Sequence, residues 1–352
     1  MASRREFLSG LTAAGAAGIT WPQSLAAAET KPASDKHGTL LPTRPFGKTG
    51  DRVTLLGFGG QHYRRLQGDD RIKAIEIAIE GGVRFFDTAE SYGRESQSER
   101  LYGEFLTPKY RDEVFLMTKS AARNPKTARQ HLEKSLRNLK TDVIDLWQVH
   151  TLETIADVDK RWDNGTVEVF LKAQEEGKVR HIGFTGHKQP EVHLHFLERA
   201  LAEGVSFQSS QFPVNVCDPA FSSFIEKVIP RCLENDIAVL AMKTLCGGKL
   251  FDSLGEAWGP RGKVTTKPLV PDQLPFRDAT DYVWSLPVAT RITGFDNLQQ
   301  LTENIEAAKN VRNLTPEQCN AILATASEEA GPDREFYKRN VLALDKPDES
   351  RF

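Results

Sequence analysis

The stretch Val53-Thr54-Leu55-Leu56-Gly57-Phe58-Gly59-Gly60 is a β-branched and apolar run that ends in glycines. As the first strand of an open, doubly wound sheet it would need a Gly-x-Gly-x-x-Gly turn opening directly into a helix. Gly57-Phe58-Gly59-Gly60 lacks that spacing, and no capped helix starts at once after it. Working outward, runs of the same kind recur at Val83–Phe86, Val114–Thr118, Val143–Val149, His181–Thr185, Phe207–Phe212, Ala238–Met242 and Ala289–Thr293. Between most of them lie helical periods. Ile72, Ile75 and Ile79 share a face, as do Leu132, Leu136 and Leu139, then Val167, Phe170 and Leu171, then Leu298, Leu301, Ile305 and Ala308. Gly81-Gly82, Gly177 and Gly204 stand where helices should end. Eight strands, each followed by a helix, predict one closed parallel (β/α)8 TIM barrel of the α/β class. Thr315-Pro316-Glu317 starts one more helix, so a C-terminal helical extension follows the barrel.

The 352 residues carry 46 basic and 48 acidic side chains, a net charge of −2. Bulk charge therefore gives no reason to expect a nucleic-acid partner. Cys217, Cys232, Cys246 and Cys319 show no CxxC pair, which excludes a zinc ribbon, a disulfide scaffold and a cysteine-ligated iron–sulfur cluster. They read as small buried hydrophobes, with a disulfide left open in an oxidising compartment. Ser3-Arg4-Arg5-Glu6-Phe7-Leu8, a weakly apolar stretch to Ile19 and the small residues Ala26-Ala27-Ala28 resemble a twin-arginine (Tat) export signal. The expected layout is a signal peptide over 1–28, a linker over 29–45, the barrel over 46–312, and a helix and tail over 313–352. The signal implies the Tat machinery as a partner and a periplasmic location, and the barrel is expected to be a monomer. The irregular stretch Cys246–Arg277 is expected to act as a lid over the barrel mouth.

Catalytic groups of such a barrel sit at the C-terminal ends of its strands. The second run ends in Asp87 with Tyr92 five residues on, the third in Lys119 and the fourth in His150. A buried lysine needs a counter-ion, and Asp87 is at hand. An ammonium beside a phenol is expected to lower the tyrosine pKa from about 10 toward the working range. Tyr92 would then give a proton to a carbonyl oxygen, and His150 would orient that carbonyl with a second hydrogen bond. Nothing here is a covalent nucleophile, so the reagent sought is hydride from a nicotinamide.

Phe86-Asp87-Thr88-Ala89-Glu90-Ser91-Tyr92-Gly93, Met117-Thr118-Lys119 and Trp147-Gln148-Val149-His150 resemble the catalytic segments of the aldo/keto reductase family. The likeness runs from about Pro45 to Asn310 and includes Gly183-Phe184-Thr185-Gly186 and Ile292-Thr293-Gly294. It implies an extended nicotinamide cofactor and reversible reduction of a carbonyl or sugar-like small molecule. The implied tetrad is Asp87, Tyr92, Lys119 and His150. Thr185 and Gln211 fall where the family holds the carboxamide. Gly59, Gly60, Met242 and Lys243 fall along the cofactor, and Gly294, Phe295, Asp296, Gln300 and Asn304 on the segment that grips the adenosine. Three departures stand out. Gly186 replaces an asparagine, Met242 replaces a stacking aromatic, and the last segment lacks the basic residues that clamp a 2′-phosphate. NADP(H) is the family's default, and Asp296 keeps NAD(H) open beside it.

Taken singly, each tetrad residue has a quiet structural explanation, and only their joint placement on consecutive strands argues for chemistry. His193 and His195, two apart on a helix, point to different faces and give no metal site. Two other classes of function stand beside the reductase. One is a nucleotide-binding barrel that serves as a non-catalytic subunit or sensor. The other is a sugar dehydrogenase running in the oxidative direction.

Overall fold

The computed structural model describes residues 33–251 and 268–338. The signal expected over 1–28 lies outside the described residues, as do the centre of the expected lid and the tail beyond Lys338. Two short antiparallel pairs come first: β1 (Ser34–Asp35) with β2 (Gly38–Thr39), and β3 (Thr43–Pro45) with β4 (Arg52–Thr54). Part of the stretch expected as a linker is thus built structure. Arg44 is buried and donates to the carbonyls of Trp284, Leu286 and Val288, tying this hairpin to a helix more than 200 residues away.

Eight parallel strands then close a barrel: β5 (Leu56–Gly59), β6 (Phe85–Asp87), β7 (Phe115–Ser120), β8 (Ile144–Leu152), β9 (Val179–Gly186), β10 (Ser209–Pro213), β11 (Ala238–Met242) and β12 (Thr290–Thr293). The Val53–Phe58 run is therefore two elements: Val53 ends up in the hairpin and Leu56 begins the barrel. Inside, Phe46, Phe85, Phe115, Met117, Leu146 and Leu240 form a core distinct from the one between sheet and helices. Phe85 and Phe115 stack at 5.2 Å, and Phe46 meets Phe115 at 5.0 Å. Gly57 is glycine for a packing reason, since a Cβ there would lie 2.8 Å from the Phe85 ring.

The pleat explains which side chains face the lumen. Alternate residues of a strand point to opposite faces. On β8, Trp147 points outward and stacks on Phe170 of the helix Thr166–Glu175 at 3.8 Å. Truncating such a buried indole costs about 3–5 kcal/mol. Its neighbours Leu146 and Gln148 are inward, and His150 continues their row. On β7, Thr118 is outward and bonds to Glu99 of the helix Gln97–Phe105, while Met117 and Lys119 are inward.

The helices start and stop on readable signals. Asn124 accepts from Thr127 N–H at 2.9 Å and Pro125 opens the helix Pro125–Leu139. Thr315 and Gln318 form a reciprocal capping box ahead of the helix Pro316–Ser327. Gly82, Gly177 and Gly204 all take positive φ just past helix ends. One stripe differs from expectation: Ile75 and Ile79 are buried, but Ile72 is 44% exposed. Cys217, Cys232 and Cys246 are buried and Cys319 half-buried, all as free thiols.

Candidate active site

Strand register sets the site. Asp87 lies beside Met117 on the neighbouring strand, and Lys119 beside Gln148 on the next, so Asp87, Lys119 and His150 rise from adjacent staves. The Asp87 end is pinned from behind, where the buried Tyr102 hydroxyl donates to the Asp87 carbonyl at 3.1 Å. Tyr92 is carried by the following loop, which Gly93 turns with φ of +84°.

Three of the four expected residues meet at one nitrogen. Lys119 Nζ contacts Asp87 Oδ1, donates to the Thr88 carbonyl at 2.8 Å and reaches the Tyr92 hydroxyl at 3.1 Å. Lys119 is 1% exposed, so these contacts replace its water. His150 lies edge-on to Tyr92, with ring centres 6.0 Å apart. All but Lys119 line a cavity of about 1290 Å³ at the barrel mouth.

The electrostatics differ from the sequence expectation for Tyr92. Burial, then the charges of Asp87 and Glu90, push its hydroxyl well above the ordinary 10 rather than below it. Lys119 moves the other way, lowered by burial against the pull of Asp87. Burial, helped by the two carboxylates, therefore keeps Tyr92 as a protonated donor. Burial also lowers His150, with Glu90 opposing.

The residues expected along a dinucleotide divide into three groups. Gly59, Gln211, Met242 and Lys243 line the cavity, as do Gly294, Phe295, Asp296 and Gln300. The Gln211 Oε1 and Thr185 Oγ1 atoms are buried without a hydrogen-bond partner, so the ends of β9 and β10 hold polar groups awaiting one. Of the two, Gln211 lines the cavity and Thr185 does not. Lys243 makes no ion pair among the described residues, and burial pulls its ammonium down to about 8 on the cavity wall. Asp296 is not a bare charge, since His62 Nδ1 lies 3.2 Å and Arg65 3.4 Å from its carboxylate. Asn304 lines the cavity too, but its amide is engaged with Arg291, Thr293 and the Gln300 carbonyl. Gly60 is outside the cavity wall, wedged against Ser98 and the Asp87 carbonyl, where a Cβ would lie 2.4 Å and 2.5 Å away. Of the other histidines, His193 is buried against Ser210 and His195 pairs with Asp159.

Several wall residues escaped sequence reasoning. Glu90 and Ser91 sit behind His150, inside the segment that carries Asp87 and Tyr92. His187 lines the wall just past β9. Phe336 and Tyr337 arrive from the C-terminal segment, held by Lys338, whose ammonium pairs with Asp218 and Glu335 in full burial. No local pattern in a charged tail marks such residues.

The sequence model of the aldo/keto reductase family matches residues 55–261. The chain belongs to the aldo/keto reductase family. It is similar to the uncharacterized oxidoreductase YqkF of Bacillus subtilis, 28% identical over 72% of this chain and 88% of that protein. It is similar also to L-galactose dehydrogenase of Arabidopsis thaliana, 23% identical over 80% of this chain and 92% of that one. Among solved structures, aldo-keto reductase AKR11C1 from Bacillus halodurans superposes with a TM-score of 0.66 at 22% identity, covering 84% of this chain and 99% of that one. This aldo/keto reductase is thus an oxidoreductase on the barrel its strand pattern predicted, and NAD(P)(H) is the family's cofactor.

Proposed function

We propose that this aldo/keto reductase reversibly reduces an aldehyde or ketone of a small, carbonyl or sugar-like substrate, with Tyr92 giving the proton to the carbonyl oxygen. The observation that carries this reading is the Lys119 ammonium, bonded to Asp87, to the Thr88 carbonyl and to the Tyr92 hydroxyl at 3.1 Å. A bound nicotinamide dinucleotide supplies or takes the hydride. Tyr92, protonated in the resting site, donates as negative charge grows on the substrate oxygen. Lys119 then faces the phenolate so formed and stabilises it, and Asp87 keeps Lys119 charged and in place. His150 holds the substrate oxygen from the side.

Gln211 and Thr185 would hold the carboxamide, and Lys243 would lie along the diphosphate. The family default, NADP(H), is the first reading, since His62 and Arg65 offset the Asp296 charge that would repel a 2′-phosphate. NAD(H) is the second, favoured by the carboxylate itself. We further infer that residues 1–28 direct Tat export of the folded monomer to the periplasm with its cofactor aboard.

Replacing Tyr92 with Phe tests the chemistry. Carbonyl reduction should fall by roughly 10²–10⁴-fold while cofactor fluorescence titration is unchanged; retained turnover would overturn it. Native mass spectrometry of the exported protein reads cleavage, the bound cofactor with its 2′-phosphate, and the oligomeric state together.

A further inference from the structure

The strand that carries His150 does not stop there. β8 and β9 pair with Leu152 opposite Gly186, so Glu153 and His187 leave the barrel side by side, and Lys188 follows. Between Val149 and Leu152 the register slips. Thr151 takes φ of +57° there, a left-handed backbone that a β-branched residue adopts only under constraint. The constraint is Arg161, fully buried, which donates to the His150 carbonyl at 2.8 Å and to the Thr151 carbonyl at 3.0 Å. Asp157 holds that guanidinium at 2.9 Å and accepts from the Glu153 N–H at 3.3 Å. A bulge re-aims the side chains that follow it, and past this one Glu153 lines the cavity.

Glu153 is a buried carboxylate, 4% exposed, with one oxygen 3.2 Å from Arg123 and the other 3.2 Å from Lys188 Nζ. Arg123 also reaches Asp157 at 2.8 Å, so its charge is shared inside the wall. Lys188, 25% exposed, has Glu153 as its one ion partner among the described residues. Two of its three N–H groups therefore have no protein acceptor there. His187 makes no hydrogen bond among the described residues and lines the same cavity. Burial first, then the charge of Lys243, holds its imidazole well below the usual range. It is thus neutral, with one donor and one acceptor nitrogen.

We propose that the Glu153–Lys188 pair, with His187 beside it, forms a hydroxyl-binding subsite next to His150, and that the substrate is a polyhydroxylated aldehyde or ketone of the sugar class. The inference rests on the reading of Tyr92 and His150 as the groups that meet the carbonyl oxygen. A hydroxyl both donates and accepts, so it matches a wall that sets an acceptor-only carboxylate 3.2 Å from a donor-only ammonium. A carboxylated substrate would meet the Glu153 charge at the same place. A purely apolar one would strip water from the pair and return no hydrogen bond. Leu245, Phe276 and Phe336 line the same cavity and offer apolar surface to the C–H faces of a sugar.

The test compares two matched aldehydes on the full chain, with NADPH and with NADH. D-Erythrose and butanal share a four-carbon aldehyde skeleton and differ in the hydroxyls of the first. Wild type should prefer D-erythrose in kcat/KM by at least about tenfold. Lys188→Met keeps the Arg123–Asp157–Arg161 network, so it separates recognition from support. It should cut the preference about tenfold, chiefly through the KM of D-erythrose, while butanal loses less than about threefold. Glu153→Gln, which keeps the shape and removes the charge, should act in the same direction. Equal losses on both aldehydes, or an unchanged preference in Lys188→Met, overturns the inference. A wild type that reduces both without preference also overturns it and leaves the reductase reading standing. Turnover of neither overturns the reductase reading and the inference with it.

Discussion

The ammonium of Lys119 donates to the Tyr92 hydroxyl at 3.1 Å while the same nitrogen is tied to Asp87. The phenol is thus held at one fixed distance from a charge that is itself neutralised on its far side. Lys119→Met keeps the length of the side chain but leaves Asp87 buried and unpaired. Breaking a buried pair in this way costs about 3–5 kcal/mol. We expect carbonyl reduction to fall at least about 10²-fold and the urea midpoint to drop, whereas Lys119→Met with Asp87→Asn should recover stability without activity. Steady-state kinetics and urea unfolding of the single and double variants check this.

Lys243 predicts a pH dependence of binding. Its ammonium titrates near 8 in the free protein, so the positive charge is present below that pH and lost above it. Dinucleotide affinity should therefore weaken as pH rises from 7 to 9, and a bound diphosphate should raise the ammonium in turn. Lys243→Met should weaken binding about tenfold or more at pH 7 and abolish the slope. Fluorescence titration at three pH values reads both effects.

His193 predicts a pH dependence of stability. Burial among Phe184, Phe212 and Phe224 lowers it to about 3. The unfolded chain takes up a proton there below pH 6.5, while the native state stays neutral down to about 3. Stability is therefore full above 6.5 and falls as pH drops through that window, by about 2 kcal/mol at pH 5. His193→Phe should remove this part of the loss, as denaturation at pH 7 and pH 5 would show.

How much of this was legible in the sequence depends on the range of the contact concerned. All eight barrel strands could be read, because β-branched runs and helical periods are local signals. Asp87, Lys119 and His150 could be read as well, since period two along a strand and the strand ends fix where they point. The split at Leu55 was hidden because hairpin and barrel strand share one apolar run. Ile72 fits the helical stripe by period, but it lies in the first turn of its helix and stays 44% exposed. Glu90 was in plain view inside the tetrad segment, yet its partner His131 lies 41 positions on, and no spacing rule joins them. The Tyr92 shift was misjudged because the ammonium beside the phenol could be read in the sequence, whereas the burial that raises it could not.

The Lys338–Asp218 pair joins positions 120 residues apart and carries Tyr337 onto the cavity wall. A growing chain therefore owns a barrel well before it owns a finished pocket. The wall closes only once residue 338 has left the ribosome and settled against the loop after β10. Assembly order thus separates shape from competence: a chain that ends short of Lys338 lacks part of its pocket wall and leaves the buried Asp218 without that partner.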